Sequence, residues 1–224
     1  MTSEEFIKTY WSQYISLEKE FLATLHYLTL DVKNEDAYSQ AYAKLMLEIG
    51  SEVDVVFKEY CKLIDANFKN SYKTIGRYKE CVTQCNPIFI QQEVTVRNDY
   101  PTVQPWIEWK TPDAPDAPSW WTAYNKVKHN RTSIVKINGI EQEGFKFANQ
   151  KYILLALAGL YQIMVYIYQK IASDEGRRIV TPMPGSRMFE LIGGIWDSIH
   201  FYGDNAFYIN EEGHLMWETS PIHY

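Results

Sequence analysis

The chain has 224 residues, 46% of them apolar and 22% charged, with a formal net charge of -6. That length is enough to bury a full core in one domain, and that apolar fraction excludes a disordered chain. The acidic balance excludes a wholesale basic coat for duplex nucleic acid, which works by displacing counterions, and leaves room only for a local basic patch.

The start, Met1-Thr2-Ser3-Glu4-Glu5, lacks the basic residues and apolar run of a signal peptide. Instead, Thr2 or Ser3 followed by two acids reads as a helix cap. Phe6, Tyr10, Tyr14, Leu17, Phe21, Leu25 and Leu28 then recur every three or four residues, predicting an amphipathic helix to about Leu30. Asp31 to Asp36 is a polar turn. Tyr38, Tyr42, Leu45, Ile49, Val53, Val56, Tyr60 and Ile64 repeat the pattern in a second long helix. Gly50 and Ser51 in its middle allow a neighbour to approach closely, and Glu48, Glu52 and Asp54 read as its solvated face. A third, shorter helix runs from about Ser71 to Cys85, where Asn86-Pro87 stops it.

The character then changes. Ile88 to Val96 is rich in β-branched residues and Trp106 to Trp109 alternates, which predicts a small β-hairpin inserted at about 87–110. Thr111 to Pro118 carries three prolines and reads as a stiff connector into the helix that follows. Beyond that helix, Ile134 to Ile137 and then Asn138-Gly139 predict an extended piece and a tight turn. A last long helix spans about Phe147 to Ser173. Its stretch Tyr152 to Tyr168 has no charge and approaches the length of a membrane span, but it carries Gln162 and four tyrosines and has no companion. It therefore reads as a buried helix, with no membrane partner. In the tail, Pro182 to Gly185 is a loop, Met188 to Ile192 a short helix, and Phe207 to Trp217 a hairpin. The expected organisation is a mainly α bundle of four to five helices over 1–175, and an irregular extension over 176–224 packed on the same domain.

Cys61, Cys81 and Cys85 are an odd number, which fits reduced thiols in a cytoplasmic protein better than a disulfide framework. Cys81 and Cys85 are helical neighbours, but no further cysteine or close histidine completes a tetrahedral set by spacing, so neither metal nor cofactor is expected. The phosphate-loop, nucleophile-elbow, His-Glu-x-x-His and paired Glu-x-x-His patterns are lacking, which leaves nucleotide hydrolysis, serine hydrolysis, zinc peptidase and di-iron chemistry without an anchor.

The segment that draws functional attention is Ser119 to Arg131, an aromatic start running into a dense polar end. On a helix, Asn125, Lys128, His129 and Thr132 fall on adjacent faces. Trp120 and Trp121 read as core packing in preference to base stacking. His129, Lys128 and Arg131 also suit a helix C-terminus, where cations meet the free carbonyls and the dipole, and this plain structural role stands beside any chemical one. His26, His200, His214 and His223 have no partner at ligand spacing and read as packing or surface residues.

Two paired long helices, the segment Leu45 to Val56, and Tyr124-Asn125-Lys126-Val127-Lys128-His129-Asn130-Arg131 ahead of an apolar helix together resemble a HEPN-like bacterial protein over roughly residues 3 to 172. The resemblance implies a helical bundle, often dimeric. It also implies either a metal-independent endoribonuclease of toxin-antitoxin or phage-defence systems, with an antitoxin or other protein partner, or a non-catalytic RNA binder. The family's catalytic pattern sets an arginine upstream of a polar residue and a histidine. Here His129 takes the histidine position, Thr122, Ala123 and Tyr124 occupy the stretch where the arginine belongs, and the nearest arginine follows at Arg131.

Metal-free RNA cleavage needs a base for the ribose 2'-OH and a cation against the developing phosphorane charge. His129 is the expected acid or base, Asn125 its orienting partner, and Arg131 the phosphate clamp, with Lys126 and Lys128 as further RNA contacts. The alternative is a non-enzymatic protein-interaction module that uses the proline-rich loop and the aromatic tail as its contact surface.

Overall fold

The structure, a computed structural model, describes all residues except 70–73, 98, 112, 114, 178–180, 194–195, 197–198, 203–204, 210–213 and 220–224. The first helix begins where its cap signal places it. Thr2 Oγ1 accepts from Glu5 N at 3.2 Å while the Glu5 carboxylate accepts from Thr2 N at 2.7 Å, a reciprocal capping box. Helix α1 (Ser3–Phe6) passes through a π-helical stretch, Ile7–Trp11, into α2 (Ser12–Thr24). It stops at Thr24 instead of reaching Leu30. There the Thr24 hydroxyl bonds the Phe21 carbonyl, and Leu25, His26 and Tyr27 close three-residue turns that tighten and end the helix.

Helix α3 (Gln40–Ile64) is capped by Ser39, and α4 (Ile75–Cys85) lies against it. The expected start of α4 at Ser71 lies outside the described residues. After β1 (Val94–Val96) come α5 (Ser119–His129), the hairpin β2 (Ile134–Ile137) and β3 (Ile140–Glu143), and α6 (Gln150–Asp174), capped by Asn149. Strand β4 (Phe189–Leu191) and the antiparallel set β5 (Ile199–Tyr202), β6 (Asn205–Ile209) and β7 (Leu215–Thr219) complete the chain. The molecule is thus mainly helical, with α3 and α6 as its central pair. Helix α6 is long and apolar enough to cross a membrane, but most of it is buried inside the fold. Its Gln162 is fully buried and donates to the Phe89 carbonyl at 2.6 Å.

The hairpin expected at 87–110 is reduced to one antiparallel bridge, Val94 with Val103, whose two backbone hydrogen bonds are 2.9 Å each, and it does not include the tryptophan segment. Along its length strand β1 pairs with β4, Val94 opposite Leu191 and Val96 opposite Phe189. The two flanking pieces become short 3-10 turns, Pro87–Gln91 and Ile107–Lys110. A strand would send Trp106 and Trp109 to opposite faces, whereas the turn brings both indoles to the core, 4.7 Å apart and against Phe57. The short helix expected at Met188 to Ile192 is likewise a strand: Phe189 and Leu191 are buried and Glu190 is exposed, a period-two alternation. The turn at Asn138-Gly139 is as expected, both residues having positive φ (49° and 84°) between β2 and β3. Strands β6 and β7 bear out the expected C-terminal pairing.

Glu35 ties the 31–36 turn to the bundle, accepting from Tyr100 Oη at 2.7 Å and Lys151 Nζ at 2.8 Å. Burial pushes its carboxyl up, but these two hydrogen bonds outweigh it and hold the group below its ordinary value. A depressed folded pKa gives stability that is complete above the unfolded value of about 4.3 and is lost as pH falls through the folded value. The melting-temperature difference between the wild type and Glu35→Gln is therefore expected to stay constant from neutral pH down to about 5 and to shrink towards zero below about 4.

Candidate functional site

Three contacts fix α5, which carries the motif. At its N-terminus the Glu108 carboxylate accepts from Ser119 N at 3.0 and 3.1 Å and from Ser119 Oγ at 2.6 Å, an acid placed at the positive end of the helix. In its first turn Trp120 and Trp121 are buried as expected, with Trp120 Nε1 donating to the Pro105 carbonyl and its ring standing edge-on to Trp106 at 4.9 Å. Mid-helix, Tyr124 lies directly over Gly50 of α3, where a Cβ would sit 2.4 Å from its ring.

The polar end of α5 emerges from this packing. Lys128, His129, Arg131 and Thr132 are exposed, while Asn125 and Lys126 are half-buried. The helix ends at His129, so Thr132 does not extend the helical face on which it was expected; Asn130 leaves helical geometry and the chain turns towards β2. Asn125 lies one turn before His129 on the same face. Arg131 turns back on its own helix, Nε donating to the Val127 carbonyl at 3.0 Å. Lys128 leans over Tyr124, its Nζ 3.2 Å from the phenol oxygen and 5.4 Å from the ring centre. Among the described residues, no hydrogen bond or ion pair holds the His129 ring. The structure therefore gathers Lys128, His129 and Arg131 on one exposed helix end, where Arg131 and Lys128 contact their own helix.

Residues 117–140 contain no acid, although the chain has 28 acids in 224 residues, about one in eight. Lys126, Lys128, Arg131 and Lys136 all fall within that run, which gives the α5 end a local excess of positive charge on an acidic protein, although Glu141 of β3 stands opposite Lys136.

A second feature lies elsewhere. A cleft of about 580 Å³ opens between α2 and residues 181–190, with Lys19, Arg97 and Arg187 among its walls. Glu18 lies at its base, 1% exposed. Its carboxylate accepts from Tyr14 Oη at 2.8 Å, from Ser186 Oγ, and from the backbone of Arg187 and Met188 at 3.0 and 3.1 Å. Trp11 Nε1 adds a bond to the Pro184 carbonyl at 2.9 Å. Burial, and then the charge of Glu18, push the Tyr14 phenol well above its ordinary value, so it stays a neutral donor. With its lone pairs engaged by these donors, Glu18 is a fastening for the C-terminal segment and not a free general base. The sequence did carry a signal for it: Glu18 interrupts the apolar stripe between Leu17 and Phe21.

No family model, curated protein or solved structure matches the chain.

Proposed function

We propose that this is an RNA-directed, HEPN-like protein of the cytoplasm that binds the phosphate backbone of single-stranded RNA through the end of α5, and that binding, not cleavage, is its role in the isolated protomer. The observation that carries this reading is the acid-free run of residues 117–140, with Lys128, His129 and Arg131 exposed at the helix end. Cations on such a surface release counterions from a polyanion even where the protein as a whole is acidic. Binding is favoured over catalysis because the two cations beside His129 in the sequence are engaged by Val127 and Tyr124 and so are not preorganised as a clamp for a phosphorane.

The test is RNA affinity across a salt series for the wild type, Lys128→Ala and Arg131→Ala. Each lost phosphate contact should flatten the slope of log K against log salt by about 0.7 on a single strand. Both variants are expected to flatten it while leaving the fold intact, since both side chains are exposed. Absence of binding at low salt, or slopes unchanged by both substitutions, removes the proposal. RNA cleavage that disappears in His129→Ala would instead assign the nuclease role, completed by a second copy of the chain.

A further inference from the structure

Spacing alone set aside a metal, because the cysteines lacked companions in the sequence; packing supplies one. Tyr78 of α4 donates to Asp54 of α3 and stacks on Phe57, and the Cys81 thiol points at the Cys61 carbonyl. One step further on, the Asp65 carboxylate and the Cys81 and Cys85 sulfurs lie within 4.8 Å of one another. The partners advance together along both helices, 54 and 57 with 78, 61 with 81, 65 with 81 and 85, so α3 and α4 run side by side in the same direction. Their C-termini, Ile64 and Cys85, meet at one end, where two sets of free carbonyls favour positive charge.

We propose that Asp65, Cys81 and Cys85 bind a thiophilic divalent cation of the zinc class at this junction. Cys81 and Cys85 are one turn apart on α4 and present both sulfurs on one face. Asp65 ends α3; one carboxylate oxygen accepts from Asn67 N at 2.8 Å, which orients the group. Zinc takes sulfur at about 2.3 Å and carboxylate oxygen at about 2.0–2.2 Å in a tetrahedron, which places ligand atoms roughly 3.5–3.8 Å apart. From a spread of at most 4.8 Å, side-chain shifts of about 1 Å or less close the site. Cys61 lies buried behind, its carbonyl 3.9 Å from the Cys81 thiol, and so backs the ligand sulfur without being a ligand. Cys85 is exposed, which leaves a path for the ion and a fourth position for water.

Full-length protein, stripped with a chelator and kept reduced, is titrated with Co2+ while thiolate-to-cobalt charge-transfer and tetrahedral d–d absorption are followed. One Co2+ per chain is expected, displaced by Zn2+, and Zn2+ is expected to raise the melting temperature by several degrees. Cys85→Ser, at an exposed position, should lose at least half of the charge-transfer intensity and the zinc-dependent thermal shift without a change in circular dichroism. Asp65→Asn should weaken binding with the two-thiolate band retained at saturation, and Cys61→Ser should keep the spectrum with affinity about 10- to 100-fold lower. Wild-type protein with titratable free thiols but no charge-transfer band overturns the proposal, as does a site that survives intact in Cys85→Ser.

Discussion

Glu18→Ala is expected to destabilise the protein by about 2–4 kcal/mol, because a buried donor left without an acceptor costs about 1–3 kcal/mol, the other donors fall back on fewer bonds, and water entering the cleft recovers only part. The Arg187 amide loses its acceptor outright, while Tyr14 Oη, Ser186 Oγ and the Met188 amide lose the carboxylate and fall back on one another, Tyr14 Oη on Ser186 Oγ at 3.0 Å and Met188 N on Ser186 Oγ at 3.2 Å. Since a domain of this kind has about 5–15 kcal/mol in total, the loss is a large share of it. The effect should be local before it is global. The segment that Glu18 fastens leads into β4, whose pairing with β1 covers one side of the core, so protease cleavage within 181–188 should accelerate at temperatures where the bundle still holds. Glu18→Gln keeps the volume but turns an amide NH2 towards backbone donors, so it should rescue only part of the loss. Urea denaturation gives the energy and timed proteolysis gives the place; a cost under about 1 kcal/mol for Glu18→Ala would show that the carboxylate does not hold this segment.

Local signals were legible wherever a residue acts on its own neighbours. Thr2 caps the helix it precedes, the three-and-four spacing of Tyr42 to Tyr60 marks the buried face of α3, and Asn138-Gly139 sets the β2–β3 turn. What the sequence hid is decided by distant partners. Val94 to Val96 is recognisably extended, but nothing nearby says that its partner is Phe189 to Leu191 and not the tryptophan segment. Burial of both Trp106 and Trp109 overrides the strand-like pattern they share with Ile107. The same division holds for the sites. The exposed end of α5 was readable because its residues are consecutive, whereas Glu18 with Ser186, and Asp65 with Cys81 and Cys85, meet only through packing. At Arg131 the Nε serves the Val127 carbonyl, a local demand that competes with any phosphate for the same guanidinium.

Gly50→Ala carries the second large expected effect, because α3 and α5 touch where Gly50 has no side chain. An added Cβ would lie 2.4–2.6 Å from three atoms of the Tyr124 ring, far inside van der Waals contact. The ring cannot simply swing away: it is only 5% exposed, packed 5.0 Å from Trp121, and α5 beneath it is fastened at its other end by Glu108. Alanine ordinarily favours a helix over glycine by about 0.8–1.0 kcal/mol, so the sign of the change separates the two influences. Overpacking of this kind costs about 1–3 kcal/mol, and we expect a net loss of about 2 kcal/mol. Adding Tyr124→Ala should remove the clash, so the double variant is expected to be more stable than the sum of the single losses predicts, with a coupling of about 1–2 kcal/mol by urea denaturation. Additive losses would mean that α5 is free to move off α3. The same pair links packing to the proposed RNA surface, since Tyr124 carries Lys128 on its ring and hydroxyl.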